Sequence, residues 1–185
     1  MTTEEIFEKL SGHMIVGMMV HEQFANYYCF LNLDGYAKCH EYHFLEETKS
    51  YRKMCRYYID HYNKLISESR FENPDIIPSM WYKHEKCNAD AATKIGAIKS
   101  GLQKWIEWET DTKKLYECLY KDLYEHGEIA GALFVSELVR DVDDELADAT
   151  KELLDKEAIC FDMAQIIDSQ DNMRRKYKKK ISHLF

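Results

Sequence analysis

The chain has 185 residues, of which 45% are hydrophobic and 31% charged, enough for one sizeable core and too apolar for a disordered segment. Its formal net charge of -8 speaks against a general nucleic-acid binder. The longest early apolar stretch, Met14 to Val20, is too short to cross a bilayer, and the acidic start MTTEEIFEKL lacks the basic segment of a secretory signal, so a cytoplasmic protein is expected.

Only 7 Gly and 2 Pro interrupt the chain, so long elements are expected. Helix A is predicted from Thr3 to Leu33, with Leu10, Met14, Met18, Ala25 and Cys29 as its apolar stripe. Asp34-Gly35 reads as the turn. Helix B is predicted from Tyr36 to Ser69, with Cys39, His43, Glu46, Ser50, Met54, Tyr57, His61 and Leu65 on one face. Both prolines fall between Arg70 and Asp90, where no period is visible, and this stretch reads as a long connection. Helix C is predicted from Ala91 to Glu125, with Ile95, Ile98, Leu102, Trp105, Glu109, Thr112, Tyr116, Leu119 and Leu123 facing inward. His126-Gly127 stops it. Helix D follows from Glu128 to Glu157 along Ala130, Phe134, Leu138, Asp141 and Glu145, and a last helix from Asp162 to Ile181 starts on an N-capping Asp. Two tight hairpins joined by a crossover make an all-α, antiparallel four-helix bundle over 1–158, with residues 159–185 as a C-terminal helix and basic tail.

Acids interrupt the apolar stripes of all four helices: Glu22 on A, Glu46 on B, Glu109 on C, and Asp141 with Asp144 and Glu145 on D. A helix rises about 1.5 Å per residue, so residues equidistant from a hairpin turn are level. Glu109 and Glu145 each lie 18 residues from Gly127; Glu22 and Glu46 lie 13 and 11 residues from Gly35. Carboxylates buried together need a compensating charge or a proton. One carboxylate per helix with a nearby histidine, His43, is a donor set that suits two iron, manganese or zinc ions.

Three stretches resemble the ferritin-like superfamily: HEQFANYYCFLNL around Glu22, WETDTKKLYECLYKDL around Glu109, and FVSELVRDVDDEL around Asp141 and Asp144. The resemblance implies a di-metal carboxylate centre with Glu22, Glu46, Glu109 and Asp141 or Asp144 as ligands, ferroxidase-type chemistry, and a homo-oligomer. Helix B departs from the family pattern: it has no Glu-x-x-His, and its histidine comes first, as His43-x-x-Glu46. His43 is then the candidate nitrogen donor.

The competing reading is a metal-free helical module for structure or interaction, its acids paired with Lys49, Lys53 and Arg140. His40 and His43 share an i, i+3 spacing, which reads as incidental beside the turn. Cys29, Cys39, Cys55, Cys87, Cys118 and Cys160 include no C-x-x-C pair and are expected as free thiols. Tyr27, Tyr28, Tyr57, Tyr58, Tyr116 and Tyr120 are expected as packing residues. The run Arg174 to Lys180 has six basic residues in seven, favourable charge at a helix end or a surface for an acidic partner. No P-loop, dinucleotide fingerprint or nucleophile elbow occurs.

Overall fold

The computed structural model describes residues 1–66 and 89–184. Five helices account for it: α1 (Thr3–Phe30), α2 (Asp34–Tyr62), α3 (Ala91–Glu125), α4 (Ile129–Ala158) and α5 (Met163–Ser182). Residues 67–88, which hold most of the sequence-predicted connection and the last three residues of predicted helix B, lie outside the described residues; α2 itself stops earlier than predicted, at Tyr62, where Asn63 takes the left-handed conformation at φ 53°.

The helix starts are chemically specified. Thr2 opens α1 with a reciprocal box: its hydroxyl accepts from the Glu5 N–H at 3.2 Å, and the Glu5 carboxylate accepts from the Thr2 N–H at 2.7 Å. Asp90 accepts from the Thr93 N–H at 2.7 Å and Asp162 from the Gln165 N–H at 2.9 Å. Gly127, at φ 76°, reverses the chain between α3 and α4. The first reversal is not at Asp34-Gly35. Asn32 takes the left-handed conformation, φ 58°, and Asp34 and Gly35 already belong to α2. Gly35 is required for a different reason. A Cβ there would stand 2.8 Å from the Gln170 carbonyl oxygen, where α5 crosses the start of α2. The Gly35 N–H donates to the Gln170 side chain across the same contact, at 2.8 Å.

The core is divided in two. One part joins Val20, Phe24 and Tyr28 of α1, Tyr36 and Cys39 of α2, Ile98, Leu102 and Trp105 of α3, Ala149 of α4, and Ile166 and Tyr177 of α5. The other joins Phe7, Leu10 and Met14 of α1, Met54 and Tyr58 of α2, Tyr116, Leu119 and Leu123 of α3, and Phe134 and Leu138 of α4. Thus α2 and α3 both run from the first cluster to the second, and α1 and α4 run the other way. The end of α2 and the start of α3 therefore lie at opposite ends of the bundle, the arrangement expected for two hairpins joined by a crossover. The fifth helix packs on α2, with Lys156 of α4 reaching Ser169 and Lys176 of α5 reaching Asp148 of α4. It therefore lines the seam between α2 and α4.

No helix among the described residues is long and apolar enough to cross a membrane. Cys29, Cys39, Cys55, Cys118 and Cys160 are free thiols, and burial pushes Cys39 up to about 12.

Candidate metal centre

Between the two apolar clusters lies a layer of histidines and acids. His21 on α1, His40 and His43 on α2, and Glu109 on α3 are buried, and Glu145 on α4 has 15% of its side chain exposed. Glu46 and Glu47 on α2 close the layer, each half-buried. The hairpins explain why these residues meet. His21 and His43 each lie eleven residues from Asn32, and Glu109 and Glu145 each lie eighteen from Gly127. His40, His43 and Glu46 follow at intervals of three, which places them along one side of α2.

Two triads form. His21, Glu109 and Glu145 make one; His43, Glu46 and Glu145 make the other; within each, one ligand atom per residue lies within 4.8 Å of the others. The His21 Nε2 stands 3.5 Å from Glu109 Oε1 and 3.9 Å from Glu145 Oε2. The His43 Nδ1 stands 3.1 Å from the same Glu145 oxygen and 3.8 Å from Glu46 Oε2. Glu145 is therefore common to both.

Supporting contacts hold the ligand atoms in place. The Trp105 indole N–H donates to Glu109 Oε1 at 3.0 Å. His21 Nδ1 and His40 Nδ1 are 3.0 Å apart, so one ring donates and the other accepts. A proton on His21 Nδ1 leaves its Nε2 lone pair facing the two carboxyl groups. Tyr42 donates to Glu46 from one turn earlier. Trp105 also packs edge-on against His40, with ring centroids 4.8 Å apart, and tilted against His43 at 5.1 Å.

The layer carries an electrostatic conflict. Burial pushes His21 down to about 3 and His43 down to about 4, and holds His40 well below the usual imidazole range. Burial likewise pushes Glu109 and Glu145 up to about 8, and Glu109 adds to the rise at Glu145. Glu47 is driven up by burial and by Glu145 and Glu109. The imidazoles are thus neutral, which is the ligating form.

Among the described residues, the His21 Nε2, both His43 nitrogens and Glu145 Oε2 are buried with no hydrogen-bond partner. Buried polar atoms are ordinarily satisfied, and four such atoms converging on one layer are costly. Their arrangement fits a cation: nitrogen and oxygen donors, neutral imidazoles, and acids whose charge a metal would compensate.

The sequence-predicted ligands divide accordingly. His43, Glu46 and Glu109 lie in the triads. Glu22 does not: it is exposed on the outside of α1 and accepts from the Asn26 side chain at 3.0 Å. Its neighbour His21 takes the inward place, one residue and about 100° away around the helix. Asp141 and Asp144 are exposed and belong to neither triad; they line a cavity that opens on the layer, while Glu145 points into it. His40 is buried beside His21 rather than incidental. Glu47 was also missed; Gly17 of α1 makes room for it, since a Cβ there would lie 3.4 Å from its carboxyl group. The tyrosines are packing residues in the main, although Tyr120 is partly exposed and the buried Tyr28 hydroxyl has no partner among the described residues.

No family model and no curated protein matches the sequence. Among solved structures, the chain is similar to a closed form of Archaeoglobus fulgidus ferritin engineered by site-directed mutagenesis. The TM-score is 0.75 at 16% identity, with 92% of this chain and 93% of the other covered. With its helix order, crossover and divided core, the chain has an all-α, ferritin-like fold.

Proposed function

We propose that the protein binds two divalent first-row transition-metal ions, iron first among them, in the layer between its two apolar clusters. His21, Glu109 and Glu145 would hold one ion, and His43, Glu46 and Glu145 the other, with Glu145 as the shared carboxylate. The observation that carries this reading is the convergence of four unpartnered, buried donor atoms on one place. Iron bound there supplies one-electron redox chemistry; manganese or zinc would use the same donors. The chain's own part is to orient: His40 sets the ring of His21, Trp105 anchors Glu109, and Tyr42 anchors Glu46. The flanking apolar clusters keep bulk water away.

The test is metal analysis of full-length protein purified without chelator, with Fe(II), Mn(II) and Zn(II) titrations. Two ions per chain are expected, with Glu145→Ala losing both. Under-stoichiometric metal, with no thermal stabilisation by any of the three ions, refutes it. One observation favours the metal-free alternative: Glu109 and Glu145, raised to about 8, can hold protons at neutral pH, so the layer can be uncharged without a metal. A protonated Glu145 can pair with His43 Nδ1, 3.1 Å away, but this leaves His43 Nε2 unsatisfied among the described residues.

A further inference from the structure

A cavity of about 390 Å³ opens between α2 and α4 beside the histidine-acid layer. Its walls include His43, Glu145 and Glu47 of the layer, together with Glu46, Asp141, Asp144 and Asp148. Acids alone would be an ordinary solvated face. Here the cavity is also lined by His43, only 2% exposed, whose two nitrogens have no hydrogen-bond partner among the described residues, so the acidic walls adjoin unsatisfied donors.

One lysine lines the same cavity, and it comes from α5. Lys180 is half-buried; its Nζ stands 4.7 Å from the Tyr42 ring centre and 5.3 Å from that of Tyr177. Tyr42 is the residue that donates to Glu46. The ammonium makes no ion pair within 4.0 Å among the described residues; the aromatic rings hold it. Its charge nonetheless reaches the layer, favouring the ionised forms of Glu46 and Glu145 and opposing protonation of His43. Packing fixes its position, because Tyr177 is buried one turn before it and Gln170 is bonded to Gly35.

Resting on the metal-binding reading above, we propose that Lys180 is a tethered counter-cation that guards the α2–α4 opening as the way in for divalent ions. Its single charge partly neutralises the acidic walls, and an incoming ion with two charges displaces it outward along its flexible stem. Metal loading then competes with an intramolecular lysine, and the docking of α5 sets the rate at which the centre fills. Six acids from α2 and α4 line the cavity with the ammonium, and Lys176 on α5 adds a second positive charge nearby, partly engaged at 3.9 Å by Asp148.

The experiment uses full-length protein and Co(II), followed by visible absorbance in stopped flow and at equilibrium. Lys180→Met keeps the stem over Tyr42 and removes the charge. It should raise the association rate constant about tenfold at low salt, the gain shrinking as ionic strength rises. Lys180→Arg should behave as the wild type, and Lys121→Met, at the far end of α3, should change nothing. Lys180→Gln provides a second neutral variant should the first not fold. Wild type that binds Co(II), with rates and affinities of the neutral variants within twofold of it, overturns the role of Lys180 and leaves the metal centre standing. No Co(II) binding by wild type or neutral variants overturns the metal centre itself, and the guarding role with it.

Discussion

Replacing Glu109 with Gln separates a metal ligand from a merely tolerated buried acid. The amide has the shape of the carboxyl group and can still accept the Trp105 N–H at Oε1, so packing is conserved. What changes is charge. Glu109 titrates near 4.5 when unfolded and is raised to about 8 by burial in the fold. A raised carboxyl contributes full stability below its unfolded value and loses it as pH rises towards the folded one. Each pH unit in that window removes about 1.4 kcal/mol, so at pH 7 the wild-type apoprotein carries a burden of roughly 3 kcal/mol from this group. Removing the charge at Glu109 also relieves Glu145, whose rise it adds to. The metal-free Glu109→Gln protein should therefore be more stable than wild type by about 1 to 3 kcal/mol at pH 7, or roughly 3 to 10 °C in Tm for a chain of this length. It should also lose an ion, because an amide oxygen is a far weaker donor than a carboxylate. Thermal melts with and without chelator, paired with Co(II) titration, measure both. A variant that is less stable without metal and binds it as tightly as wild type refutes the assignment.

Further outcomes follow from the same layer and its surroundings. In chelator, stability should stay level between about pH 4.5 and 6.5, where the loss from Glu109 and Glu145 as pH rises is offset by the gain from His21 and His43; it should fall below that window, where the imidazoles act alone, and above it, where the acids act alone. Urea midpoints across pH measure this, and saturating metal should abolish the alkaline decline. At Gly101 a Cβ would stand 1.9 Å from the Tyr28 hydroxyl, so Gly101→Ala should cost about 1 to 3 kcal/mol. Tyr28→Phe should recover part of that loss in the double variant, because the ring carbon left behind lies 3.0 Å away.

The legibility of the four bundle helices differed with their composition. Along α3, acids and lysines alternate with a single apolar stripe, and every residue assigned inward from Ile98 to Leu123 is buried. Level-counting from Gly127 also succeeded there, because a tight turn and two uninterrupted helices make sequence distance equal to height. Asn32 was not visible as a reversal, since Asp34-Gly35 carries the stronger turn signal and is diverted into α2 by the crossing of α5. That crossing is a contact between residues 135 apart in sequence, which no local pattern reports. Lys180 is hidden for the same reason: its run reads as a charged helix end, and only the path of α5 along α2 brings it to the acidic cavity.

Helix α1 shows how a small phase error exchanges one candidate ligand for another. Apolar residues occupy nearly its whole circumference between Met14 and Val20, so the stripe has no defined centre. Choosing Met18 and Ala25 as inward selects Glu22; the structure instead buries Gly17, Val20, His21 and Phe24. The error is one residue, yet it exchanges a carboxylate for an imidazole and gives each triad one nitrogen and two carboxyl groups. The exchange is testable in a single comparison. Glu22→Gln removes a charge on the solvent side and should leave Co(II) affinity within twofold. His21→Ala removes one ligand of three from its triad and opens a gap beside His40, so it should weaken binding at that ion at least about tenfold and reduce the visible spectrum to that of one ion. Equal losses from both substitutions would place Glu22 back in the centre, and no loss from His21→Ala would remove α1 from it altogether.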